Sequence, residues 1–424
     1  MDPLPVTRGI GEGIDACLVY RKPLADPGLL AHTASCADDP VAPPDASAPP
    51  TDAGLEGAAT ADADASELPP LSDPCEGAPG VSAAAAWPMA GGCPARPGTR
   101  PRLRGPSTST VATLGDVTGT PTAPVVAADG TAIVATSDGH VLALPRGGVP
   151  RWDVTISGPV DVAPVLVSDD VVLVATREGR LHKLAVADGR ALGSEASANA
   201  PSSLLPLSDG TVVFTAKDSN LHRVSVATLT AAGPDTPVFA TTAPSLERGG
   251  AVLVAGSDGV LRRFGRDGVT TDVYRAPAPL TESPVSGFSG EILLVSSDGV
   301  LRAVTADGKL RYERALGSTA SGPPAASPDG NVYIATTGGK VLGVDRAGKE
   351  LFAFEPLGRP EAPSVGAGGT VFFGAEDTKL YAVQPSGRLL FAASLRKRAL
   401  GAPALGSDGA LFVAAQGSVM TVGP

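Results

Sequence analysis

The chain has 424 residues, with 33 basic against 44 acidic side chains, a formal charge of −11 and a pI near 4.9, which excludes a nucleic-acid binder built on a basic face. Fifty-two Gly and 41 Pro, over a fifth of the chain, favour turns over helices. No apolar run approaches the ~20 residues of a membrane-spanning helix, and the nearest, residues 81–89, is short and contains Pro88.

The acidity is not spread evenly. Residues 1–92 hold 14 acidic and 3 basic side chains, while residues 93–424 hold 30 of each, so the whole net charge sits in the N-terminal segment. Between residues 37 and 73, Ala, Asp and Pro account for 24 of 37 positions and no Lys or Arg intervenes. Such a composition offers too little large apolar surface to offset the entropy of ordering, and its like charges repel. Residues 1–86 are therefore expected to be a disordered tether, with a folded domain over 87–424.

All four cysteines, Cys17, Cys36, Cys75 and Cys93, fall in the first 93 residues. An even count in a loop-rich segment permits two disulfides in an oxidising compartment, by any of three pairings. Cys36, preceded by small residues and followed by the tether, is alternatively a lipidation candidate. The segment before it carries Arg21, Lys22 and Asp26 where an export signal has its apolar stretch, so no recognisable signal peptide is expected in the sequence. Cysteine spacings of 19, 39 and 18 provide no close pair of metal ligands.

From residue 123 onward the chain repeats. Pro124, Pro164, Leu204, Pro244, Pro284, Pro324, Pro363 and Pro403 stand 40, 40, 40, 40, 40, 39 and 40 residues apart. Six residues after each comes Gly130, Asp170, Gly210, Gly250, Gly290, Gly330, Gly369 or Gly409. Further turn glycines follow in register, at Gly139, Gly179, Gly259, Gly299 and Gly339, then at Gly148, Gly268, Gly308, Gly348 and Gly387. Three turns per repeat separate four short segments; in the fifth repeat these are 284–286, 291–296, 300–304 and 310–315. Asp-Gly pairs supply the positive φ that tight hairpins need. The second segment, as in Ala132-Ile133-Val134-Ala135, is apolar on both faces, which places each sheet between two others. Four-stranded antiparallel units of about 40 residues stacked face to face predict an all-β, eight-bladed β-propeller. The eighth repeat ends after three strands, so a spare strand near residues 108–116 is expected to pair with the last blade and close the ring.

The repeat form APxxxxDGxxxxxSDGxLxAxxxDGxxxW/Y resembles that of the pyrroloquinoline-quinone-like propeller family. The segment Trp87-Pro88-Met89-Ala90-Gly91-Gly92-Cys93-Pro94-Ala95-Arg96-Pro97-Gly98 is similar to the opening WPMxGGxPARTG of many bacterial members. The resemblance implies either a quinone-dependent dehydrogenase or a non-catalytic member similar to the propeller lipoprotein of the outer-membrane β-barrel assembly machinery. The dehydrogenases hold the quinone between a Trp and a vicinal-cysteine disulfide, with calcium on acidic and amide ligands. No cysteine lies beyond Cys93 and none are adjacent; only Trp152 survives in the repeats, with Tyr274, Tyr312, Phe352 or Phe391 expected at its place elsewhere. Repeats that vary by at most one residue also leave no insertion for a lid or metal loop, where function on such scaffolds resides.

The expected function is thus a non-catalytic, monomeric protein-interaction scaffold of the periplasm or outer membrane, with no catalytic residues, no metal and no cofactor. Its expected partner is another protein rather than nucleic acid or a membrane span. A degenerate quinone-dependent dehydrogenase and a glycan- or ligand-binding propeller are the alternatives. His182, His222, Arg262 and Arg302 recur at one point of the third strand and form a candidate basic stripe for an acidic partner, although such charge runs more often mark a solvated face. Arg396-Lys397-Arg398 is expected as exposed filler on the outermost strand of the seventh repeat. A Gly-rich string at residues 9–13 lacks the strand and helix of a nucleotide site.

Overall fold

A computed structural model describes residues 69–77 and 80–424. The expected tether up to residue 68, with Cys17 and the lipidation candidate Cys36, lies outside the described residues.

The described chain forms eight four-stranded antiparallel sheets and no helix. In the fifth blade the strands are Val285–Ser286, Ile292–Ser296, Val300–Val304 and Leu310–Ala315, the segments that the turn glycines delimit. Each blade runs outward from a two-residue innermost strand, so first and third turns share one face of the ring, and second turns and interblade connections share the other. The glycines act as required: Gly130, Gly210, Gly250, Gly290, Gly330, Gly369 and Gly409 all have φ between 75° and 86°. The second strand is buried on both faces, as in Ala132–Ala135 and Ile292–Ser296, because each sheet is sandwiched by its neighbours. Valine, leucine and isoleucine fill these interfaces, and burying each such side chain contributes roughly 1.5–3 kcal/mol.

Ring closure follows the expectation. The strand Val111–Asp116 pairs antiparallel with the last strand, Ser418–Val422, as the fourth strand of the eighth blade. The register runs Val111 to Val422 and Asp116 to Ser418, with a bulge between Thr113 and Gly115 that turns Leu114 into the core. Leu114 packs there among Leu144, Phe412 and Met420, joining first and last blades.

The packed body reaches further toward the N-terminus than the expected boundary at residue 87. Ala85 and Ala86 are buried, the Ser82 amide donates to the Leu166 carbonyl, and the Ser72 amide donates to the Phe288 carbonyl. Two local readings also change. Tyr274 pairs with Leu261, the register of Val154, and not at the place of Trp152, because it stands two residues past the position 120 residues after Trp152. Arg396, Lys397 and Arg398 lie beyond the strand Leu389–Ser394, in the connection to the eighth blade. Arg396 is exposed, as expected, but Lys397 contacts Asp116 of the closing strand at 3.0 Å and Arg398 contacts Glu361 and Glu376 at 3.2 and 3.1 Å.

If one strand holds the ring shut, truncating its buried anchor opens the ring. Leu114→Ala should cost about 2–5 kcal/mol and lower the melting temperature, and deleting residues 100–118 should lower it much further; an unchanged melting temperature on calorimetry would contradict the closure.

Candidate functional site

An open propeller has eight innermost strands whose axis-facing amides border a central channel. Buried N–H groups need acceptors, and here the chain supplies them itself. Residues 87–98 run along the axis and offer their carbonyls to successive blades. The amides of Val126 and Leu166 donate to Trp87 and Pro88 at 2.8 Å each, and that of Leu246 donates to Pro94 at 2.8 Å. Those of Ser286, Ala326 and Val365 donate to Ala95, Pro97 and Gly98 at 3.0, 2.8 and 2.8 Å. The donors sit one repeat apart, with the third blade skipped. A proline-rich segment suits this role, since Pro88, Pro94 and Pro97 accept hydrogen bonds and have no N–H to bury. Gly91 and Gly92, at φ 80° and 85°, turn the segment sharply, and a β-carbon at Gly92 would stand 3.1 Å from the Trp87 ring.

The third blade breaks the register, because its equivalent position is Pro206, without an amide proton. Arg96 takes over. Its Nη2 donates to the Ser203 and Leu204 carbonyls at 3.1 and 3.4 Å, its Nε to Pro244 at 2.7 Å and its Nη1 to Ala90 at 3.3 Å. Burial pulls this guanidinium down to about 10, so it stays charged at neutral pH. The eighth blade is met by the Trp87 side chain, which clusters with Ala404 and Leu405. A disulfide between Cys75 and Cys93 pins the segment. Cys93 is fully buried. The innermost strands are therefore lined by the chain's own residues 87–98.

The His182, His222, Arg262 and Arg302 register exists, with its side chains turned into the blades. His182, His222 and Arg302 are buried within the blades and Arg262 is largely so, beneath the second turns. Each of the last three in chain order is held by carboxylates of its own blade. His222 lies between Asp218 at 3.0 Å and Asp235 at 2.8 Å. Arg262 pairs with Asp258 at 2.5 Å and Asp272 at 3.6 Å, and Arg302 with Asp298 at 2.9 Å and Glu313 at 3.4 Å. The repeat places a turn carboxylate four residues before the cation, which is why the pattern recurs. The hydrogen bond from Arg262 holds the Asp258 carboxyl below its ordinary value. For Asp298, burial pushes upward, but hydrogen bonds from Arg302 and Ser296 prevail and the net direction is down. These pairs are made within single blades. His182 differs, with burial lowering its pKa and its Nε2 without a partner among the described residues.

The quinone of the dehydrogenases does not fit these residues. Trp152, the one Trp in the repeats, lies over Gly189 of the next blade, where a β-carbon would stand 2.8 Å from its ring, and its Nε1 donates to the Val186 carbonyl at 2.9 Å. Cys75 and Cys93 are bridged to each other across 18 positions of sequence rather than side by side. Both parts of the stacking platform are committed elsewhere.

The axial segment and the histidines are each open to measurement. Arg96→Met, which strands buried carbonyls, should cost on the order of 3 kcal/mol, read as a lower urea midpoint; an unchanged midpoint would show that the guanidinium does not support the third blade. In an NMR titration His140, raised by its hydrogen bond to Asp153, should titrate above 6.5 and His182 below it. With a depressed folded pKa, His182 makes stability fall as pH drops through the ordinary histidine range, so His182→Gln should flatten that part of the curve.

Residues 105–286 match the family described as outer membrane protein assembly factor BamB. Among curated proteins, no sequence matches the chain. BamB from Moraxella catarrhalis is similar in structure with a TM-score of 0.58 at 17% identity, over 74% of this chain and 96% of that one. The quinohemoprotein alcohol dehydrogenase from Comamonas testosteroni gives a TM-score of 0.62 at 14% identity, over 81% of this chain and 80% of that one. The computationally designed Ika8 protein gives 0.58 at 17%, over 74% and 99%. At these identities the solved structures speak to fold, and the sequence match speaks to the repeat. The chain is an eight-bladed β-propeller whose residues 105–286 resemble the pyrroloquinoline-quinone-like repeat of the BamB family.

Proposed function

We propose that the chain is a non-catalytic protein-interaction scaffold of the cell envelope. The observation that carries this reading is the occupied axis: residues 87–98 bond the innermost strands of successive blades, so binding is left to the outer surface and the turn faces. Repeats of nearly constant length keep those faces free of insertions that would carry a catalytic set. Similarity to an outer membrane assembly factor supports an envelope setting and a protein partner. The Cys75–Cys93 disulfide supports an oxidising compartment, and lipid attachment at Cys36 would tether the propeller to a membrane. Balanced charge over residues 93–424 gives no strong long-range field, so recognition rests on local shape and local pairs.

Affinity capture with the full chain from an envelope extract should recover a specific protein in stoichiometric amount, while addition of pyrroloquinoline quinone and Ca²⁺ should produce neither an absorbance change nor dye reduction. Recovery of no protein, or dye reduction with an alcohol or sugar, would contradict the reading.

A further inference from the structure

Three boundaries between adjacent blades are sealed by an aromatic side chain. The fourth strand of one blade projects a ring onto the third-turn glycine of the next. Trp152 covers Gly189, Tyr312 covers Gly348 and Phe352 covers Gly387; a β-carbon at these glycines would stand 2.8, 2.6 and 2.5 Å from the ring or its β-carbon. The covering rings are buried in each case. Between the second and third blades, where Gly193 stands opposite Lys183, Leu229 of the third blade fills the space.

Between the third and fourth blades nothing does. The position eighty residues after Trp152 is Ala232, exposed, whose amide donates to the Arg223 carbonyl. Gly233-Pro234 then interrupts the strand and leaves only Thr236–Pro237 in register. The glycine it should cover, Gly268, has no neighbour within 4 Å of where a β-carbon would be. A cleft of about 640 Å³ opens there, floored by Val213, Leu221, Leu246, Val252 and Phe264. The core registers the gap: Leu221 is 8% exposed where its repeat mate Leu301 is 0%, and Val252 is 6% where Val332 is 0%. Two arginines stand at the rim. Arg223 is paired with Asp209. Arg266 lies over Gly250, its Nε 3.4 Å from that carbonyl, and among the described residues it has no carboxylate partner.

We propose that this cleft is a docking seat for an extended segment of a partner protein, which inserts an aromatic side chain beside Gly268 and pairs an adjacent carboxylate with Arg266. The seat has the shape that the fold elsewhere fills with its own Trp, Tyr or Phe, and an aromatic anchor in a desolvated pocket is the usual centre of binding energy. The free guanidinium adds the carboxylate requirement, since a planar fork matches that group. Val269, more than half exposed at the turn tip, extends the apolar edge toward the partner.

The inference rests on the scaffold reading and is tested separately from it. A phage-displayed library of random twelve-residue peptides is selected on the full chain, and the selected peptides are measured by fluorescence anisotropy against the wild type, Ala232→Trp and Arg266→Glu. Selected peptides should share an aromatic residue next to Asp or Glu, and each substitution should weaken them by at least about tenfold while the melting temperature is kept. Arg266→Glu lies on an exposed turn and serves even if Ala232→Trp misfolds. Peptides indifferent to both substitutions would overturn the seat, as would indole-3-propionate alone binding as tightly as the peptides, or self-association of the chain that Ala232→Trp abolishes. Equal capture of one envelope protein by wild type and both variants would retire the seat and leave the scaffold standing; capture of none would retire the scaffold and the seat with it.

Discussion

The constraint on which the rest of this structure depends is the unmet hydrogen-bonding capacity of eight innermost strands. A propeller blade pairs its inner three strand interfaces within itself, but the axial edge of its first strand has no neighbour in the ring. Edges of this kind are liabilities unless covered. Here one segment, from Trp87 to Gly98, accepts from six of them, and its composition suits that position. It is rich in proline, so it accepts without needing to donate, and Arg96 answers the single blade where proline has removed the donor.

Closure at the rim and filling at the axis are parts of one arrangement. The strand Val111–Asp116 completes the last blade, and the chain reaches it directly after leaving the axis, with the Ala367 amide donating to the Leu103 carbonyl on the way. Both ends of the domain are thereby held by residues that precede the first repeat. The eight blades are near-equivalent; the parts that lock them are not repeated. This also explains why the His182–Arg302 register turned inward. A third-strand cation beneath a second-turn carboxylate finds its partner inside the blade, and a buried charge so paired is costly to leave alone once its partner is removed.

Much of the fold was legible in the sequence, because a forty-residue period with three turn glycines fixes strand number, strand order and blade count together. The spare closing strand was legible by subtraction, from three strands after Pro403. The axial segment was visible only as a family-like string, since nothing in its spacing says that it lies on an axis; the one sequence signal is Pro206 in the donor register, which requires something other than a carbonyl opposite it. Exposure at the third strand was misjudged because alternation cannot tell a solvated edge from a salt-bridged interior. The Tyr274 register was misjudged because residue type was matched ahead of spacing: the ring lies two residues past the repeat position of Trp152. The open seat at Gly268 was legible in principle as an alanine where other repeats carry rings, but only packing shows that no neighbour moved in.

The picture is of a propeller whose axial strand edges are covered by its own N-terminal segment. Native-state hydrogen exchange of the full chain tests it most directly, read at the innermost-strand amides of Val126, Leu166, Leu246, Ser286, Ala326 and Val365. With the axial segment in place these six amides should exchange as slowly as the second strands, through global unfolding. Fast exchange at these six while the second strands remain protected would mean an open channel, and would contradict the account.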